Sequence, residues 1–488
     1  MKEMENEKNK FLKGIVGFSL VTWIGFGISL LSFPIVTRIF VPEQLGRINL
    51  FHIKMNLLVA VALLGLDQAF VRFYYEPPSK TTKKYLMSFV TLTSTVTTVV
   101  IGLIMVLFFW RQVSYSIVEN YNQIIVICLA VSAISTIVLR YLNLLYRMEQ
   151  KMLWFNIQGI LIIVVARLSY VVTGIWYATY MPAIITLTVT SFLLMLFFLF
   201  YQKKNFDRRM QLPDKNFVKE IGTFAAPLIP LKIIGWVNTS VSALIISNLL
   251  DFAGVALFTV ATGLAGTINI IQAGFNTYWA PYVYQNYKDN SHRFWTVHKL
   301  IACCLTFFGL LIILLQEVAF ILIGPDYRGA MLFFPFLLVA PICYTLGETT
   351  GMGIGIAKKT YWSPIILTLS ILVNVVICYL LIPELGVPGA AIASATAGVV
   401  SVVLKTVIGG RYFKSIKNNK YVLLTIALLI LASVTSFIFE GNRPIKYTFI
   451  MVIVVSSIIL FREEALILAK QLKYIGNVIL KKICKKRT

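Results

Sequence analysis

With 488 residues, 58% of them hydrophobic and only 13% charged, and a mean hydropathy of +0.82, the chain is excluded from the soluble classes, because repeated apolar runs of about eighteen or more residues mark membrane-spanning helices. The runs are continuous rather than alternating at period two, which excludes a transmembrane barrel. A net charge of +24 would suggest nucleic acid in a soluble protein; here its placement assigns it to orientation in a membrane, and no nucleic acid partner is expected.

A charged head, residues 1–10, leads into predicted spans near Phe11–Thr37, Leu50–Phe70, Tyr85–Trp110, Tyr121–Tyr146, Leu153–Ile175 and Met181–Tyr201. The first run is too long for a signal-peptide core and lacks a small-residue cleavage site, so no cleavable signal is expected. After a basic linker at 202–220 the pattern resumes near Ile221–Leu250, Val255–Trp279, Val297–Ile323, Met331–Ile356, Tyr361–Ile382 and Pro388–Ile408, with two more spans near Tyr421–Phe439 and Tyr447–Phe461. The expectation is an all-α polytopic membrane protein of about 14 helices: six-helix bundles at 11–201 and 221–410, two additional helices at 411–461, and a basic amphipathic tail at 462–488. The tail sets Leu468, Leu472, Ile475, Ile479 and Ile483 on one stripe beside Lys470, Lys473, Lys481 and Lys482, which predicts an interfacial helix. The halves share the opening FLKGI at 11–15 and FVKEI at 217–221, and GRINLF at 46–51 against GVALF at 254–258. Six spans per copy make this a parallel repeat, with a binding site expected between the copies.

Of the 44 Lys and Arg, 34 fall on the head, the tail and the even-to-odd connections, and only six on the opposite side. Both termini are therefore expected to be cytoplasmic. Lys54, Arg140, Arg167 and Lys232 remain, all inside predicted spans, against two intramembrane carboxylates, Asp67 and Glu348. Lys232 lies about 16 Å into a span that crosses a hydrocarbon layer about 30 Å thick. Buried charge at such depth faces a bundle interior or a wet cavity. A surplus of cations suits an anionic cargo such as a phosphate or pyrophosphate, which arginine grips with two parallel bonds. Against this stand structural readings: Lys232 snorkelling or pairing with one carboxylate, Arg140 and Lys54 snorkelling from about 10 Å and 7 Å inside their span ends, and Asp67 pairing with Arg72 at a helix end.

Other motifs point away from catalysis. No Walker A sequence, HExxH or nucleophile elbow is present, and His52, His292 and His298 form no metal or acid-base set, so no enzyme, metal or cofactor is expected. Cys128, Cys303, Cys304, Cys343, Cys378 and Cys484 lie mostly within apolar runs without metal-ligand spacing and read as buried and reduced. GMGIG at 351–355 follows no strand and predicts a close helix contact rather than a nucleotide loop.

Four segments together resemble the Wzx-like polysaccharide repeat-unit flippases, of the superfamily that also contains the MATE exporters and the lipid II flippases. They are TRIFVPEQLG at 37–46, PLIP at 227–230 with Gly235 and Trp236, GPDYRGA at 324–330, and LIPELGVPGAAIAS at 381–394. Where that family often has an Asp-Arg pair after the tryptophan, this chain has Ser242 and Ala243, so no ion-pair role is carried over there. The resemblance implies a MATE-like fold in a bacterial cytoplasmic membrane. It also implies transport of polyprenyl-pyrophosphate-linked oligosaccharide by alternating access, for capsule or O-antigen-type polymer, with membrane lipids, a polymerase and glycosyltransferases as partners. Lys232, Arg140, Arg167 and Lys54 would then hold pyrophosphate or anionic sugars, Asp67 and Glu348 are candidates for proton or sodium coupling, and Trp236, Tyr278 and Trp279 are candidates to stack on sugar rings or to form part of an interfacial belt. The rival readings are a lipid II-type flippase, a MATE-like drug or cation antiporter, which would favour an acidic cavity, and a membrane-embedded polymerase or acyltransferase, which would need a large polar loop.

Overall fold

In a computed structural model, residues 2–207, 213–288, 291–414 and 416–470 are described, the side chains of 2–19, 80, 277, 278, 280, 291 and 292 excepted. Every regular element among them is helical. Among the described residues twelve helices are long and apolar enough to cross a membrane, and up to fourteen spans result if two bent helix pairs each count as one. The chain is a multi-pass membrane protein. Its outer surface explains the composition: Leu107, Phe108, Phe200 and Ile459 are each about two-thirds exposed or more, which is tolerable only where lipid replaces water.

One compact unit comprises residues 1–259 and 323–327, and a second comprises 260–322 and 328–488. In the first, α1 (Lys2–Ile39) packs on α7 (Met152–Gly174), while α6 (Gln123–Met148) lies against α2 (Pro42–Ala62), α4 (Lys83–Phe108) and α8 (Tyr180–Tyr201). Because lipid tails are as apolar as leucine, such helices are specified by small residues and by hydrogen bonds across their contacts. Ser94 and Tyr141 share one of 2.8 Å between α4 and α6, and Ser132 and Thr188 one of 2.9 Å between α6 and α8.

The second predicted span is not one helix. It begins earlier, at Pro42, whose missing N–H costs nothing in a first turn, and ends at Leu64 and Gly65, both left-handed with φ of 48° and 72°. Two such residues cannot continue a right-handed ladder. The chain restarts as α3 (Leu66–Phe73), with Asp67 in its first turn. Between the short α5 (Trp110–Val118) and the linker the remaining spans lie close to their predicted ranges. In the seventh span only Pro227 interrupts, separating α9 (Lys215–Ala225) from α10 (Leu228–Leu249); Pro230 falls in the first turn of α10, where it removes no intrahelical bond. These two helices belong to the first unit, which ends within α11 (Phe252–Ala265).

The second unit contains α12 (Ile268–Asn286), α13 (Ser291–Leu314), α14 (Gln316–Leu322), α15 (Phe334–Thr350), α16 (Met352–Ile356), α17 (Trp362–Leu385), α18 (Val387–Tyr412), α19 (Lys420–Ile438) and α20 (Arg443–Leu460). Its core is α18 packed between α15 and α17. The glycines at 351–355 make the predicted close contact: α16 sits so near α18 that a Cβ on Gly353 would overlap the Gly409 carbonyl. Thr306 and Thr425 bond at 2.9 Å between α13 and α19. Beyond α20, Glu464 is buried and accepts from Tyr421 at 2.8 Å and from Lys299 at 3.0 Å, tying residues 462–470 to α13 and α19. Leu472, Ile475, Ile479, Ile483, Lys473, Lys481 and Lys482 of the predicted tail lie outside the described residues.

Two outcomes follow. Gly65 has a left-handed φ and no room for a Cβ beside the Ala225 carbonyl, so Gly65→Ala is expected to cost about 2–4 kcal/mol; an unchanged unfolding temperature in detergent would refute the tight break. Burial pushes the Glu464 carboxyl up, but the bonds from Tyr421 and Lys299 outweigh it and hold the pKa below the ordinary value. Its stabilisation is therefore present above an unfolded pKa of about 4.3 and is lost as pH falls through the lower folded value. Thermal melts from pH 7 down to 3 should show this loss in the wild type and a flatter profile in Glu464→Gln.

Candidate functional site

Three residues from distant parts of the sequence meet in the first unit. Asp67 enters at the start of α3, directly after the left-handed break, and is wholly buried. Arg140 lies on α6, whose rotation is fixed on both sides. Its neighbour Tyr141 bonds Ser94, the Leu139 carbonyl accepts from Gln158 at 3.3 Å, and Asn143 donates to the Phe155 carbonyl at 3.1 Å. Lys232 lies on α10, one turn before Trp236 and hence on the same face. The Trp236 indole donates to the Ile53 carbonyl at 3.0 Å, docking α10 on α2 and turning Lys232 toward the end of that helix.

The result is one carboxylate shared by two cations. Arg140 donates to Oδ2 of Asp67 from Nη2 at 2.6 Å and from Nε at 3.0 Å, while the Lys232 ammonium bonds Oδ1. Asp67 is 0% exposed, Lys232 19% and Arg140 46%. The acid is thus covered on both oxygens while the bases keep donors: the ammonium has three and the guanidinium five, of which the acid takes three. The group keeps one net positive charge and spare N–H donors. Arg140 also reaches the wall of a cavity of about 420 Å³ inside the bundle, to which His52, Thr136, Asn143, Arg147 and Ser191 contribute polar groups.

Among the sequence-predicted residues, Asp67, Arg140 and Lys232 are brought together, and the expected Asp67–Arg72 pair is not formed, since Arg72 contacts Glu76 at 3.4 Å. Lys54 and Arg167 remain apart from the triad, without an ion pair to a described residue; Arg167 is exposed on α7. Glu348 is held in the second unit by Lys405 at 3.1 Å, a residue inside α18 and inside the predicted span Pro388–Ile408 that was not among the candidate site residues. Trp279 donates to the Glu348 carbonyl at 3.0 Å and is 1% exposed, stacked between Phe275 and Tyr282. Its ring is packed as core in this structure. The Tyr278 side chain lies outside the described residues. Sequence reasoning missed the cavity wall, although its signal was there: Thr136, Arg140, Asn143 and Arg147 follow helical spacing along one face of an otherwise apolar span.

A family model described as polysaccharide biosynthesis protein matches residues 11–286. Among solved structures, the lipid II flippase MurJ in an inward closed conformation is similar with a TM-score of 0.65 at 15% identity, over 91% of this chain and 99% of that one. A multidrug resistance MATE family transporter of the MOP superfamily, facing inward, is similar with a TM-score of 0.54 at 16% identity, over 82% and 97%. At such identities the likeness establishes the fold. No curated protein matches the sequence.

Replacing Asp67 by Asn would leave two neighbouring cations without their shared counter-charge. A loss of about 2–4 kcal/mol is expected, the lower part reflecting the half-exposed Arg140. Part of it should return in Asp67→Asn with Lys232→Met. Thermal unfolding of the four members of this cycle measures the coupling, and additive single effects would show that the triad is not a unit.

Proposed function

The chain belongs to the polysaccharide biosynthesis protein family, and from that premise we propose that it flips polyprenyl-pyrophosphate-linked oligosaccharide across the cytoplasmic membrane, from the inner to the outer face. The observation that supports this most is the shared carboxylate: two basic side chains in an apolar bundle, neutralised by only one acid and retaining donors for an anion. A pyrophosphate entering beside Arg140 would take up the spare N–H groups and compete with Asp67 for the rest, while the prenyl chain stays in lipid and is never exposed to water. Asp67 keeps the cations folded inward and charged when no cargo is bound. Once they turn to the cargo, its freed carboxylate can take a proton or a sodium ion, which would couple flipping to an ion gradient. Alternating access of the two homologous halves, with both termini cytoplasmic, completes the reading.

A cationic drug fits this site poorly, because its sole acid is already covered by two bases. Lipid II presents the same pyrophosphate chemistry and differs in head-group sugars.

The test is complementation of a strain lacking its repeat-unit flippase, at matched membrane abundance. Wild type is expected to restore surface polysaccharide, with Lys232→Ala and Arg140→Ala reduced at least about tenfold, the effect of losing one charged contact of about 1.4 kcal/mol or more. Equal restoration by both variants would remove the triad from transport. Rescue of a strain depleted of its lipid II flippase, without restored polysaccharide, would reassign the cargo.

A further inference from the structure

A second basic site lies at one end of the first unit, away from the triad. Lys83 and Lys84 open α4 just after Thr82, whose hydroxyl caps the helix by accepting the Tyr85 N–H at 3.1 Å. Lys203 and Lys204 follow the end of α8 in a single 3-10 turn, Lys203–Asn205. The two pairs are about 120 residues apart, yet they line one recess of about 810 Å³ together with Phe206 and Asp207.

The walls of this recess are fixed. Before the turn, the buried Gln202 donates to the Leu142 carbonyl at 3.3 Å; after it, the Asp207 N–H bonds the buried Ser88 hydroxyl at 2.8 Å. Two of the ammonium groups are steadied over rings, that of Lys83 over Tyr74 and Tyr75 at 4.8 and 5.0 Å, and that of Lys203 over Phe200 at 4.1 Å. All four lysines are exposed, and among the described residues none of their ammonium groups makes an ion pair or hydrogen bond. By contrast Arg47, Arg72 and Lys151 each have a carboxylate nearby. Against four ammonium groups the recess contributes one acid, Asp207.

Four like charges held around a concavity call for more counter-charge than the one carboxylate that lines it. Both helices reach their polar ends here, at the side that the distribution of basic residues predicts to be cytoplasmic, beside the aromatic rings that mark a membrane interface. The anion abundant at that depth is a lipid phosphate, for which lysine acts as a point-charge binder.

We propose that the Lys83–Lys84–Lys203–Lys204 recess binds the phosphate headgroup of a membrane lipid, either the phosphodiester of bulk anionic lipid or the pyrophosphate of a carrier lipid. The site is distinct from the triad, and its test does not depend on the cargo.

Full-length protein in detergent is titrated with phosphatidylglycerol, with phosphatidylcholine as the neutral reference, and with farnesyl pyrophosphate, and bound lipid is counted by native mass spectrometry. Lys83→Gln, Lys84→Gln, Lys203→Gln and Lys204→Gln combined are expected to weaken anionic binding at least about tenfold. The corresponding four-arginine variant should retain it, and so should a control with Lys358→Gln and Lys359→Gln. Loss confined to phosphatidylglycerol assigns the site to bulk lipid, and loss of farnesyl pyrophosphate assigns it to the carrier. Undiminished binding of both by the glutamine variant, an equal loss in the arginine variant, or an equal loss in the control overturns the proposal.

Discussion

An ionised carboxylate without access to water must be surrounded by donors, and Asp67 is the place where this requirement shapes the first unit. To satisfy both of its oxygens the chain brings α3, α6 and α10 to one point, and each of those helices is fixed nearby by a second contact: the left-handed break before α3, the Tyr141–Ser94 bond beside Arg140, and the Trp236–Ile53 bond beside Lys232. Removing charge from water is expensive. The cost is accepted here for a group whose cations stay fixed in place and only partly satisfied.

Basic residues fall into two settings. Within the spans several are matched to acids, as with Lys405 and Glu348 or Arg140 and Lys232 with Asp67. At the rim of the first unit, Lys83, Lys84, Lys203 and Lys204 have no such match. The contrast follows from the surroundings, because hydrocarbon offers no counterion and a charged leaflet surface offers many. The large positive charge of the chain is therefore the sum of two different designs.

The helical class and the number of spans were legible because twenty-odd apolar residues in lipid have only one way to satisfy their backbone. The residue types of the site were legible too, since Asp67, Arg140 and Lys232 stand out against apolar neighbours. Their pairing was not: it joins positions 73 and 165 residues apart, which no local pattern encodes, and sequence proximity suggested Arg72 instead. Nor does sequence reveal that Leu64 adopts a left-handed conformation, although the adjacent Gly65 hinted at a break. Trp279 illustrates the converse, an aromatic residue whose environment decides between platform and core. The polar face of α6 could have been read from its spacing alone.

The first unit includes residues 323–327, where the Gly324 N–H donates to Thr37 at 2.9 Å and the Tyr327 hydroxyl to the Phe40 carbonyl at 2.7 Å. A chain emerging from the ribosome thus presents Asp67 first, gains Arg140 later and Lys232 later still, and cannot close the unit until several further spans have been inserted. Between the insertion of α6 and that of α10 Asp67 has one cation instead of two, and until residues 323–327 arrive α1 lacks its last partner. Biogenesis must shelter an incomplete charge cluster in the bilayer, so membrane insertion machinery and translation order are as much a condition of this fold as the contacts of the finished molecule.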